Sequence, residues 1–142
     1  MTPSPPTSAP PSGNPCTGIQ IVAMNIHPIN LMVNRRTKRS HWIPETVREA
    51  MSRLSDLAEE GAEIGPWMPP KDALYRMDIQ FFLPSMRGDI DGPIKRTIDA
   101  VFAGARRFYD KPWVNDGRIV TLHVEKFVQP DPGLAIHLGY LA

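Results

Sequence analysis

The chain has 142 residues and 42% apolar content, enough for one packed core and too little for two. Its 16 Lys and Arg against 15 Asp and Glu leave a net charge of +1, which excludes a polycation and requires any nucleic-acid surface to come from local clustering of charge. A single cysteine, Cys16, excludes an intrachain disulfide and fits a reducing cytoplasm, and no apolar run approaches the roughly 20 residues that cross a bilayer, so no membrane partner is expected.

Residues 1–18 are mostly Pro, Ser, Thr and Gly, with almost nothing to bury. They are expected to form a disordered tail, leaving 19–142 as one domain. The N-terminus lacks a basic-then-apolar pattern, so no secretory leader is expected, and Cys16 lies in a tail where a catalytic nucleophile is not expected. Residues 19–26 (IQIVAMNI) are short, apolar and β-branched and predict a first strand, ended by His27-Pro28. Residues 34–41 carry Arg35, Arg36, Lys38, Arg39 and His41 with no acid among them. Two readings stay open for this run: a solvated basic loop, or a loop that contacts phosphates.

Residues 44–60 predict an amphipathic helix, with Pro44 in its first turn and Glu45 and Glu49 near the positive end of the dipole. Val47, Met51, Leu54 and Ala58 form its apolar stripe. Gly61, Gly65 and Pro66 are expected to end it, and the turn Trp67-Met68-Pro69-Pro70 to leave apolar groups exposed for docking on another chain. Residues 74–83 (LYRMDIQFFL) predict the clearest strand, Met77, Ile79, Phe81 and Leu83 alternating with Arg76, Asp78, Gln80 and Phe82. A second helix is predicted over 93–107, with Pro93 at its start and Ile94, Ile98, Val101, Phe102 and Ala105 as its buried stripe. Asn115-Asp116-Gly117 predicts a turn, 118–128 a strand, and 134–141 a last strand. The resulting order β-α-β-α-β-β is an α/β (α+β) single mixed-sheet domain with two main helices.

Candidate chemistry centres on Asp89-Ile90-Asp91-Gly92-Pro93-Ile94-Lys95. In an extended segment Asp89 and Asp91 point the same way and can present two carboxylates to one point. Hard cations such as Mg²⁺ take one or two such carboxylates plus water and substrate phosphate. Asp116 becomes a candidate third ligand if its strand lies beside the one ending near Pro84. Lys95, four residues past Asp91, shares its helical face and can neutralise charge on a phosphodiester. The plainer alternative is a helix cap at Asp91, a solvated Lys95 paired to Asp91 or Asp99, and a turn-forming Asp116. His27, His41, His123 and His137 lack ligand spacing and are read as structural.

The order Asp89-x-Asp91-x-x-x-Lys95, a helix containing Asp99, then Asn115-Asp116 and a valine-rich strand with Lys126, resembles the RusA family of Holliday-junction resolvases from about residue 74 to 128. The likeness extends more loosely over His27 to Val47. The resemblance implies an endonuclease dependent on Mg²⁺ (Mn²⁺ as substitute), acting as a homodimer on four-way DNA junctions. It implies Asp89, Asp91 and Asp116 as metal-binding catalytic acids and Lys95 as the catalytic lysine. Arg35, Arg36, Lys38, Arg39 and Lys126 would then contact DNA. Gly92-Pro93 departs from the family's asparagine after the second motif Asp, and Asn115 from its frequent acid before the third. A homodimer also follows from symmetry, since two symmetric cuts need two sites and each chain carries one acid cluster. The rival readings are a nuclease for other branched DNA and a non-catalytic DNA-binding or assembly protein.

Overall fold

Alternating apolar residues build a sheet with one buried face. The structure, a computed structural model, describes residues 18–32, 45–86 and 91–141. Its strands are β1 (Ile19–Ala23), β2 (Leu74–Leu83), β3 (Ile119–Val128) and β4 (Gly133–Leu141), and its helices α1 (Glu45–Ile64) and α2 (Asp91–Phe108). The chain order is the one the periodicity predicts, and the four strands form one mixed sheet in the order β1-β4-β2-β3. Tyr75, Met77, Ile79 and Phe81 of β2 are fully buried, and Ile19, Ile21, Leu134, Ile136 and Leu138 join them from β1 and β4. That face packs against Ala50, Leu54, Ala58 and Ala62 of α1 and Ala100, Val101, Phe102 and Ala105 of α2 in one core.

β2 is the pivot of the sheet: it pairs antiparallel with β4 and parallel with β3. A parallel neighbour cannot be reached by a hairpin, so α2 serves as the crossover. The two helices approach closely because their contact is lined by small residues. A Cβ on Gly104 would fall on the Ser55 carbonyl oxygen and lie 2.8 Å from the Ala58 Cβ, and the Ser55 hydroxyl donates to the Ala100 carbonyl at 2.8 Å.

Several local expectations change. β1 stops at Ala23 rather than residue 26, after which a 3₁₀ turn, Pro28–Leu31, begins with His27 as its cap: His27 Nδ1 accepts from the Ile29 amide at 3.1 Å. α1 continues through Gly61 to Ile64; this glycine does not stop the helix but lets it approach β1, a Cβ there lying 3.0 Å from Ile19 Cγ2. Trp67 is not an exposed docking group. It is fully buried, stacked on Tyr75 at 5.8 Å between centroids; Pro69 is buried too, and Met68, at 51% exposure, and Pro70 stand out. A register shift near the start of β3 leaves Val120 exposed. Residues 1–17 of the tail expected over 1–18 lie outside the described residues, among which no helix is long and apolar enough to cross a membrane.

Overpacking the helix contact should be costly, since a methyl group would be driven against backbone rather than a flexible side chain. Gly104→Ala is expected to lower unfolding free energy by about 2–3 kcal/mol, measured by urea denaturation.

Candidate metal and phosphate site

At the end of β2 the chain runs through Pro84–Met86 toward α2, whose first residue is Asp91. Asp89 lies outside the described residues, and Asp91 is located by its backbone alone. Gly92 leaves room for the Met32 thioether, whose sulfur would lie 2.8 Å from a Cβ at that position. Pro93 fits because the first turn of a helix has no intrahelical use for its amides, and the Thr97 hydroxyl returns to the Pro93 carbonyl at 2.8 Å. Gly92-Pro93 is thus explained by helix entry against the 3₁₀ turn. Lys95, one turn on, is 73% exposed and pairs with Asp99 at 3.4 Å. Such a surface pair is worth about 0.3–0.5 kcal/mol and is easily given up to a ligand.

Lys126 belongs to the same end of the sheet. It pairs in register with Phe81, and its ammonium donates to the Met86 carbonyl at 2.8 Å, on the connection leading to Asp91. Arg35, Arg36, Lys38 and Arg39 lie outside the described residues.

Asp116 opens a second 3₁₀ turn, Asp116–Arg118, where Asn115 Oδ1 accepts from the Gly117 amide at 2.7 Å. Asn115 is therefore the cap of the turn. The loop is clamped from three sides. The Tyr75 hydroxyl donates to the Trp113 carbonyl at 2.6 Å, the Trp113 indole to the Pro69 carbonyl at 2.9 Å, and Arg118 Nε to the Ala73 carbonyl at 2.8 Å. Burial pushes the Tyr75 phenol up to about 12, so it remains a donor. Asp116 itself is exposed, and among the described residues its carboxylate has no hydrogen-bond or ion-pair partner.

β3 does lie beside β2, but in the parallel sense, and this decides where Asp116 goes. Ile119 pairs with Tyr75 and Val128 with Leu83, so Asp116 sits where β2 starts and Asp91 where β2 has ended. The 18 residues of α2, at about 1.5 Å each, put roughly 25 Å between them. Within one chain the expected convergence of Asp116 with Asp91 is not formed. The reason is topological: a crossover helix carries the chain back to the opposite end of the sheet before the next parallel strand begins.

The strand register also groups residues that the sequence leaves apart. Asp78 pairs with His137 on one side and His123 on the other, and Gln20 continues the row from β1. Arg76 Nε holds Asp78 at 3.2 Å, and among the described residues no three His, Cys, Asp or Glu side chains group to hold a metal. Alternation alone puts residues 78, 123 and 137 on polar positions; their alignment needs the pairing. The chain matches no protein-family model, and no curated protein is similar to it by sequence.

Tyr75→Phe is expected to remove about 1 kcal/mol of stability and to raise amide exchange across 109–118, read by hydrogen-exchange mass spectrometry. His137 gives a pH dependence. Desolvation lowers its pKa below the ordinary 6.5, partly offset by Asp78 and reinforced by Arg76. The folded state thus binds fewer protons than the unfolded chain in this range. Its contribution is complete above about 6.5 and is lost as pH falls through the folded value. Urea midpoints should drop between pH 7.5 and pH 5.5, and His137→Gln should flatten that limb.

Proposed function

We propose that this chain is a Mg²⁺-dependent endonuclease acting on branched DNA, with the four-way junction as substrate. The carrying observation is the first turn of α2. A D-x-D pair ends at that helix's first residue, and the exposed Lys95 follows one turn later, at the end of the central strand to which Lys126 is also tethered. The resemblance to the RusA family rests on the same residues.

The donor set suits Mg²⁺ in part. Asp89 and Asp91 supply the one or two carboxylates that this ion takes from protein. Asp116 of the same chain is too distant to be the third. Mg²⁺ bound there would activate water and neutralise charge on the scissile phosphate. Lys95 balances charge building on the phosphodiester, releasing only a weak surface pair with Asp99 to do so. The amides opening α2 add the positive end of an 18-residue helix dipole. Arg35, Arg36, Lys38 and Arg39 hold the arms of the junction through phosphates without reading sequence. Two symmetric cuts call for two copies.

The distance from Asp116 to the start of α2 favours one rival, a non-catalytic DNA-binding protein whose acids are structural. Cleavage of a synthetic four-way junction in Mg²⁺ separates them. Asp89→Asn and Asp91→Asn should abolish cleavage with junction binding retained, and Lys95→Ala should slow it about a hundredfold. Full cleavage by both Asp variants would overturn the proposal. Activity and stability indifferent to Mg²⁺ and Mn²⁺ would favour the rival. A fork and a linear duplex, cut in parallel, define which branch is preferred.

A further inference from the structure

The contact between α1 and α2 carries two arginines in opposite circumstances. The helices run in the same direction: Met51 meets Arg96, Ser55 meets Ala100, and Asp56 and Glu59 meet Arg107. Arg107 is neutralised twice, its Nη1 lying 2.8 Å from Asp56 and 3.2 Å from Glu59. Arg96, about three turns earlier on α2, meets no carboxylate among the described residues. Its Nε is buried without a hydrogen-bond partner, and its Nη1 reaches only the Met51 sulfur at 3.9 Å, a weak acceptor. Asp99, one turn further along α2, is engaged by Lys95 at 3.4 Å.

The facing side of α1 shows why the two differ. Arg48, Ser52, Asp56 and Glu59 follow one another at three- and four-residue steps and so share one flank of the helix. Beside Arg107 this flank offers two carboxylates. Beside Arg96 it offers a second guanidinium and a hydroxyl. Arg48 and Ser52 are exposed, and among the described residues Arg48 has no ion-pair partner. A buried N–H left unpaired costs its full desolvation, and two unneutralised cations on facing flanks repel. For packing alone, an apolar side chain at position 96 would serve better.

We propose that the α1–α2 groove at Arg96 binds a phosphoryl anion, anchored on the Arg96 guanidinium, with Arg48 as second cation and the Ser52 hydroxyl as donor. A guanidinium presents a planar fork of N–H groups that two phosphoryl oxygens can accept together. A phosphoryl group spreads its oxygens in three dimensions and can engage both arginines and the hydroxyl at once, whereas a carboxylate offers two oxygens in one plane. The exposed rim of Arg48 and Ser52 admits a phosphodiester within a strand as well as free phosphate. The first source extends the DNA contacts of the proposed nuclease across α2 and rests on that reading; the second does not.

The test follows the full chain by nuclear magnetic resonance during titration with inorganic phosphate, with sodium chloride at matched ionic strength as control. The Arg96 Nε–H signal and the Met51 methyl should shift together and saturate in phosphate alone. Arg96→Met should weaken phosphate binding about tenfold or more, the worth of a charge-assisted hydrogen bond. It should not lower the melting temperature in phosphate-free buffer, because it removes an unpaired donor and keeps an apolar stem. Arg48→Gln, at an exposed position, should weaken phosphate binding severalfold. On four-way junction DNA, Arg96→Met should reduce the slope of log affinity against log salt by about one. A wild type without a phosphate-specific shift overturns the proposal, as does phosphate binding indifferent to Arg96→Met. An Arg96→Met variant that melts well below the wild type in phosphate-free buffer marks the arginine as structural and also overturns it. Loss of phosphate binding with an unchanged junction slope supports the site and assigns it to free phosphate. A wild type that binds phosphate here and never cuts a junction supports the site and sinks the nuclease reading.

Discussion

The parallel pairing of β2 with β3 is the constraint on which the rest of this molecule depends. It makes α2 a crossover rather than a turn, and so gives the two ends of the sheet different work. At one end β2 finishes, α2 begins, and Lys95, Lys126 and Met32 gather around the connection. At the other, the Asp116 turn is held by Tyr75, Trp113 and Arg118. Parallel strands are normally covered on both faces. Here β3 pairs parallel and still leaves Val120, Leu122, Phe127 and Val128 exposed.

The clamp and the helix contact together make the scaffold rigid where the proposed chemistry needs it. Gly104 and Ala58 let α1 and α2 approach until the Ser55 hydroxyl reaches a backbone carbonyl across the contact. Behind them, Trp67, Tyr75 and Phe102 form a chain of ring contacts at 5.8 and 5.4 Å. Tyr75 sits in both systems: its ring is core and its hydroxyl holds the loop that carries Asp116. The backbone of the loop that leads to Asp116 is thereby held by a residue on the central strand, while the Asp116 carboxylate itself stays exposed.

The element order was legible because each main element keeps its period over enough residues: β2 alternates without interruption, and α1 and α2 carry apolar stripes at three- and four-residue steps. What the periodicity does not carry is direction. Nothing in residues 118–128 marks them as parallel to β2 rather than antiparallel, and the reading of Asp116 as a neighbour of Asp91 failed within the chain on that point alone. Trp67 misled for a related reason. Its local company, Met68-Pro69-Pro70, has the composition of an exposed turn, whereas its burial is set by Tyr75 and Tyr140, distant in sequence. Gly61 was read as a stop because helix-ending glycines are common; its close approach to Ile19 is a tertiary fact. Lys95 on the first turn of a helix was legible, and the placing of Lys126 at the end of β2, tethered to the Met86 carbonyl, needed the register of β2 against β3.

Topology and proposed chemistry meet in one consequence. A junction nuclease must cut two strands related by symmetry, and a monomer able to cut alone would leave nicks at single strands. If Asp91 and Asp116 serve one ion, the crossover that separates them prevents a single chain from doing so, because it leaves the two acids at opposite ends of the parallel pair β2 and β3.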